Sequence, residues 1–355
     1  GTVSGRYRFL HALYQEVLYQ RLAAAQRVRL HKRLAERLAA AYGEHSHGVA
    51  AELADHFERG CDYPRALRYL AQAAKNAARC YANHEAEAYL SRALTLVHRL
   101  QPAERAEARI ALLQRRAHVR KVMNDLGGAI EDLKAVLASG RERDDQGLVV
   151  KTLVEISRIA RWLNSRYCLE TAAEAEGISR ELDDEFVKVC ARVNCARANS
   201  FFAEWRQDSV ATCRSGFRVV RAARDPRMIV LSSNAMMECM SSNYELARLL
   251  AEEAARMAQS LGDSFHFMQY RWVELWTLIY LGRLGEMRRG LVLALSVAEK
   301  NGNFFWVMNY RLGLARFDVA LPAVCIEGEV YRQVVRCEES YVSAVGPVRV
   351  LRSLY

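Results

Sequence analysis

The chain has 355 residues, only 5 of them proline, with 51 Lys and Arg against 41 Asp and Glu and a formal net charge of +10. Scarce proline and few β-branched clusters exclude a predominantly β fold, and no apolar run reaches the roughly 20 residues that a membrane-spanning helix needs. Nine cysteines without a Cys-x-x-Cys pair speak against a disulfide framework or a structural metal site and fit reduced thiols in a cytoplasm, the expected location. The charge excess is local: residues 1–120 hold 20 Lys and Arg against 11 Asp and Glu, the remainder 31 against 30. The basic third is read first as a solvated helix surface, and second as a surface for an acidic partner or nucleic acid.

Residues 5–19, GRYRFLHALYQEVLY, read as a short strand in which Tyr7 and Phe9 alternate, bending into a helix with Leu10, Leu13, Tyr14, Val17 and Leu18 on one face; His11 stands at the bend. Residues 1–24 form this first segment, and 25–100 a basic helical connector with the first hairpins. In the connector, RVRLHKRLAERLAAAYG predicts an amphipathic helix with Leu30, Leu34 and Leu38 inward and Arg29, Arg33 and Arg37 in a basic row. One basic row without interleaved aromatics is a weak nucleic-acid signal. GEHSHG, with Glu52 and His56 beyond it, offers zinc-type ligands without a fixed spacing and reads as a solvated turn.

From 101 to 355 the pattern repeats. Breaks at Asp145, Asp184, Asp225, Asp263 and Gly302 are 39, 41, 38 and 39 residues apart, and each interval holds two apolar-periodic stretches. Five consecutive helix hairpins without a sheet are expected over 102–319. The second helices carry small residues where a partner helix must approach closely: Ala129, Leu133 and Val136, or Ala247, Ala251 and Ala254, with the same spacing earlier in Ala66, Leu70 and Ala73 and in Ala86, Leu90 and Ala93. These strings resemble tetratricopeptide repeats of unusual length, lacking the full Trp-Leu-Gly-Tyr signature and carrying Glu170 where a small residue is expected. The predicted fold is all-α: an α-solenoid of tetratricopeptide-like helix hairpins.

Such arrays bind other chains in an inner groove lined by the first helices. The five tryptophans, 162, 205, 272, 276 and 306, fall in or at the end of first helices, but Trp272 and Trp276 share a face with Phe265 and Ile279 and read as core. The candidate partner-binding residues are the polar ones that interrupt these helices: Arg161, Arg192, Asn199, Asn234, Tyr270, Glu274 and Asn309. They are taken as groove-surface residues whose replacement costs little stability. The expected partner is a protein, a peptide or a small-molecule inducer, not a membrane. No Ser-His-Asp set, nucleophile elbow or paired-carboxylate motif points to an enzyme. After residue 319 the hairpin phase is lost, no capping helix is recognisable, and a frayed, truncated end is expected.

The opening YRFLHALYQEVLY followed by RVRLHKRLAERL resembles the end of the winged-helix domain of signal-transduction ATPases with numerous domains, a class that includes maltose-regulator-like activators and ATPase-fused adenylyl cyclases. The matching residues are Phe9, His11, Leu13, Glu16 and Tyr19. The resemblance implies a winged-helix remnant over 1–24, an ATPase domain in cis, and contact of His11 with the phosphate of ADP in that longer protein. The phosphate-binding Gly-Lys-Ser/Thr loop is absent from these 355 residues, so no ATP or ADP site is expected in the chain itself. The alternative is a free-standing peptide-binding repeat protein.

Overall fold

The computed structural model describes residues 12–202, 207–223, 228–261, 263–320, 323–326, 329–332, 335–343 and 346–354. The winged-helix expectation for residues 1–11, including His11, lies outside them, as does Trp205. The chain divides into two compact units, residues 1–116 and 117–355. The boundary falls inside a helix, sixteen residues after the expected junction at 100.

The first unit is built from α1 (Ala12–Arg21), α2 (Ala24–Tyr42), a 3-10 segment (Gly43–Val49), α3 (Ala50–Arg59), α4 (Tyr63–Arg79), α5 (Asn83–Leu96) and the start of α6 (Pro102–Val122). Consecutive helices from α2 to α5 pack on one another. Their core is Leu53, Ala54 and Phe57 of α3 with the small-residue sets Ala66, Leu70, Ala73 and Ala86, Leu90, Ala93, all buried. The small-residue pattern falls here on two consecutive helices rather than on alternate ones. In α2 the expected inward face is rotated. Leu30 and Leu34 are 44% and 43% exposed, whereas His31 and Ala35 are buried. The cause is polar: His31 accepts or donates at both ring nitrogens, to Tyr19 Oη at 2.9 Å and to His56 Nδ1 at 2.9 Å, and turns its own face toward the core. The basic row Arg29, Arg33 and Arg37 is exposed, as expected.

The second unit continues with α7 (Leu126–Glu142), α8 (Gln146–Trp162), α9 (Tyr167–Ser179), α10 (Glu185–Phe202), α11 (Gln207–Ala222), α12 (Met228–Met240), α13 (Tyr244–Ser260), α14 (Ser264–Tyr280), α15 (Leu284–Lys300) and α16 (Phe304–Ala320). These are the five predicted hairpins, α6/α7 to α14/α15, plus one further first helix. The recurring acidic break has a local cause. Asp125, Asp145 and Asp263 each accept a backbone N–H from three residues ahead, capping the next helix, and Asp184 does the same for Val187. The residue just before many of these caps lies in the left-handed region, as in Asn124, Asp144, Ser242, Gly282 and Gly302, which ends the preceding helix in a single residue.

The two helices of a hairpin have different neighbours. From α8 onward each first helix packs on the next first helix, α8 on α10, α10 on α12, α12 on α14 and α14 on α16, while the second helices meet one another at most marginally. The more crowded layer is the inner side of a curved stack. Residues Ala129, Leu133, Val136, Ala247, Ala251 and Ala254 are buried as expected, joining second helices to first. Beyond the helices, residues 323–354, expected to continue the solenoid to a frayed end, instead pair as two antiparallel ladders. One joins Ala323–Ile326 to Glu329–Arg332 (β1 and β2), the other Val335–Ser343 to Gly346–Leu354 (β3 and β4). The alternating Val, Ile and Tyr there suit extended backbone. The solenoid helices therefore end at Ala320 rather than 355.

Ala251 is fully buried on α13 beside Leu250, Ala235 and Val273. Ala251→Leu should lower unfolding free energy by about 1–3 kcal/mol through overpacking in urea titrations. Leu249→Ala, at a solvent-exposed position of the same helix, should stay within about 0.5 kcal/mol.

Candidate functional site

The inner layer of the second unit carries a chain of charged hydrogen bonds that begins at a helix cap. Asp263, capping α14, takes the His266 backbone N–H at 3.0 Å on one oxygen and the His266 ring at Nδ1, 2.6 Å away, on the other. Arg158 of α8 donates from Nη2 to His266 Nε2 at 2.5 Å. These partners assign the proton: Nδ1 donates to Asp263, Nε2 accepts from Arg158, and the ring is neutral. Arg158 also donates from Nη1 to Glu155 at 2.8 Å, and Glu155 takes Lys121 Nζ of α6 on its other oxygen at 2.7 Å. The Lys121 ammonium lies 4.8 Å from the centre of the Phe265 ring. Side chains from α6, α8 and α14, up to 145 residues apart, thus meet across the inner face.

Electrostatics follow from this chain. Burial pushes the Glu155 carboxyl up, but the positive charges of Lys121 and Arg158 outweigh it and hold the group well below the usual carboxylate range. Burial followed by the Arg158 charge depresses His266 to about 4, against a weaker upward pull from Asp263. Burial opposes the charge on Asp263, yet its hydrogen bond from His266 keeps it well below its ordinary value. Glu155 keeps 27% and Arg158 13% of their side-chain surface accessible. That surface opens on a cavity of about 290 Å³ lined by Val150, Lys151, Val154, Glu155, Arg158, Val187 and Cys190. The volume stands at the lower end for ligand pockets and suits one side chain or a small polar group.

An aromatic contact crosses the same face. Trp162, at the end of α8, meets Phe305 and Trp306 of α16 edge-on, with centroids 5.1 and 5.6 Å apart. Phe265, Trp272 and Tyr310 continue the cluster around Trp306, which is fully buried. Trp306 belongs to the core, and Trp162 and Trp272 pack partly buried against it; for Trp272 this agrees with the core reading of its spacing.

The seven sequence-derived candidates separate. Arg161, Asn234 and Tyr270 are buried, contrary to their reading as groove surface, because the first helices pack side by side and leave these faces between them. Tyr270 stacks on His266 with centroids 6.2 Å apart, and Arg161 lies one turn beyond Arg158, so both adjoin the charged chain. Arg192 and Asn199 are exposed on α10, with Asn199 Nδ2 directed at Cys195 Sγ, 3.6 Å away. Glu274 is half-buried and accepts from Arg271 at 2.6 Å, and Asn309 donates to the Phe305 carbonyl at 2.8 Å. These four do not join the chain. The residues that do, Lys121, Asp263, His266, Glu155 and Arg158, carried two signals in the sequence. The pair Glu155 and Arg158 has three-residue helical spacing inside an apolar run, and Asp263 and His266 have the same spacing at a predicted break. His266 Nε2 is occupied by Arg158, so the Asp-His pair is closed to general-base chemistry in this arrangement.

No protein-family model and no curated protein sequence matches the chain. Among solved structures, NprR in complex with its cognate peptide NprX shares 10% identity over 81% of this chain and 88% of its own, with a TM-score of 0.50. A Rap protein complexed with competence and sporulation factor shares 12% identity over 86% of this chain and 93% of its own, with a TM-score of 0.48. A signal transduction ATPase with numerous domains and a tetratricopeptide repeat sensor, from Pyrococcus horikoshii, shares 12% identity over 88% of this chain but 46% of its own, with a TM-score of 0.46. At these identities the likeness is one of fold: the chain is a tetratricopeptide-like helical solenoid. Among the described residues no helix is long and apolar enough to cross a membrane.

The neutral state of His266 makes stability depend on pH. The unfolded chain takes up this proton near pH 6.5 and the folded chain only near 4, so acidification between these values favours unfolding. Between pH 6.5 and 5 this group alone should withdraw about 1.5 kcal/mol, and denaturant titrations of wild type and His266→Gln should show that loss only in the wild type. Asp263 adds loss of the same sign, but only below its ordinary pKa near 3.8.

Proposed function

We propose that the chain is a partner-binding sensor and scaffold whose ligand, a peptide or protein segment or a small inducer, is received on the inner face of the second unit. The observation that carries this reading is the concentration of charged and polar side chains on the first helices around an accessible cavity, while the second helices are occupied by small-residue packing. The fold likeness to NprR, whose solved structure holds a cognate peptide, agrees with it. An extended chain laid along several first helices gains affinity from many modest contacts.

The finer reading places this sensor in a signalling ATPase, as a transcriptional regulator or an ATPase-fused adenylyl cyclase. It rests on the resemblance of residues 5–19 and implies that ligand binding here shifts the state of an ATPase in cis, where His11 would meet ADP. The chain itself is read as non-catalytic, and nucleic-acid binding through Arg29, Arg33 and Arg37 is the lesser alternative.

A randomised octapeptide pool, scored by affinity selection and mass spectrometry, tests the binding face. Lys151→Glu with Cys190→Trp, which reverses an exposed charge at the cavity and fills its wall, should reduce capture at least about ten-fold, a loss of about 1.4 kcal/mol. Changing Arg29, Arg33 and Arg37 together to Ala should leave capture unchanged. The opposite pattern would move the binding surface into the first unit.

A further inference from the structure

Three arginines of the inner layer approach one another where α8 meets α10. Arg158 and Arg161 lie one turn apart on α8, and Arg197 faces them from α10. Only Arg158 has a carboxylate, Glu155, which Lys121 also uses. Arg197 is buried and reaches two hydroxyls, Ser232 at 3.2 Å and Ser233 at 3.5 Å. Arg161 is 5% exposed, and neither Nη1 nor Nη2 has a hydrogen-bond partner. Burial first, then the charges of Arg197 and Arg158, pulls its pKa down, the sign expected of a guanidinium among like charges with too few anions. An unpaired buried charge is strongly unfavourable, and a guanidinium fork is shaped for a planar oxyanion.

The neighbouring amides supply the complementary requirement. Asn194, one turn before Arg197, donates to Ser157 Oγ of α8 at 3.0 Å, and its Oδ1 accepts nothing. Asn234, next to Ser233 on α12, also has an unpartnered buried Oδ1. The first helices therefore hold spare cationic donors beside spare carbonyl acceptors.

We propose that Arg161 and Arg197, with Asn194 beside them, form an anion site that takes a carboxylate bearing an adjacent N–H, the group found in an N-acylated amino acid or a peptide C-terminus. The carboxylate seats on the Arg161 fork and compensates Arg197, and the N–H donates to an amide oxygen that otherwise has no donor. This rests on the reading of the inner face as the ligand surface and specifies one end of the ligand. The side chains lie between packed helices, so entry requires α8 and α10 to part locally at the cavity beside Arg158.

The test uses the whole chain, with N-acetylglycine and its neutral analogue N-acetylglycinamide as probes, in thermal melts at constant ionic strength. N-acetylglycine should raise the wild-type melting temperature by about 3–5 °C at ten times its dissociation constant and further with the logarithm of its concentration, and the amide should not. Arg161→Met, which removes the uncompensated charge at similar volume, should melt above wild type without probe and lose the acid-specific response. Arg180→Met, a change at the exposed residue that follows α9, should respond as wild type does. Equal wild-type responses to acid and amide, an unchanged acid response in Arg161→Met, or an Arg161→Met protein that melts below wild type would each overturn the site. If Arg161→Met fails to fold, the wild-type comparison of acid with amide decides alone. Peptide capture that depends on Lys151 and Cys190 without any acid-specific response overturns this inference and leaves the binding face standing. An acid-specific response without peptide capture does the reverse.

Discussion

The bond from Arg158 to His266 sets the arrangement of the second unit. It joins residues 108 positions apart, from helices that do not pack backbone to backbone, so the long guanidinium side chain bridges a distance that helix contact does not close. Its strength depends on both ends. Asp263 orients the imidazole so that Nε2 can accept, and Glu155 supplies the charge that makes a buried arginine tolerable. Lys121 then balances Glu155 and brings in α6. With any one member removed, a charged neighbour is left buried without its partner, and the penalty falls on the rest.

Around this chain the two kinds of helix divide the work. The second helices use Ala at positions such as 129, 247, 251 and 254 to approach their partners closely, which buries apolar surface but leaves no room for side-chain chemistry. The first helices carry the bulky and charged residues, and their crowding against one another turns those residues toward the inside of the curve. Chemistry and curvature thus have a common origin in residue size. The buried thiols belong to the packing. Burial, more than any nearby charge, pushes Cys195 and Cys213 up to about 12, so they act as small apolar groups rather than as nucleophiles.

Much of the architecture was legible because it is local. Asp145, Asp184 and Asp263 fall on the repeat because they cap helices, and small residues recur at helical spacing because hairpins are close-packed, and both are properties of short segments. The site was less legible because its members meet through curvature. Nothing in the stretch around Arg158 announces His266, and Tyr270 and Asn234 look like groove residues until the neighbouring first helix covers them. In α2 the local reading failed for a related reason. Leu30 and Leu34 are the more apolar residues, but His31 has partners in Tyr19 and His56, and the hydrogen bonds decide which face turns in.

The edge-on contact of Trp162 with Phe305 and Trp306 bears on how the unit assembles. A linear repeat array gains each repeat from its neighbour alone, can nucleate anywhere and tolerates shortening from either end. Here an aromatic cluster closes a loop of more than 140 residues, for which chain entropy alone costs about 4 kcal/mol beyond the constant term. Stacking of hairpins can run ahead of that closure, but the ring cluster forms only when the last first helix has arrived. The late repeats therefore act on the early ones, and deleting α16 strips the cover from Trp162 four hairpins away. The unit gains the all-or-none character of a globular domain, at the expense of the modularity that its sequence repeat suggests.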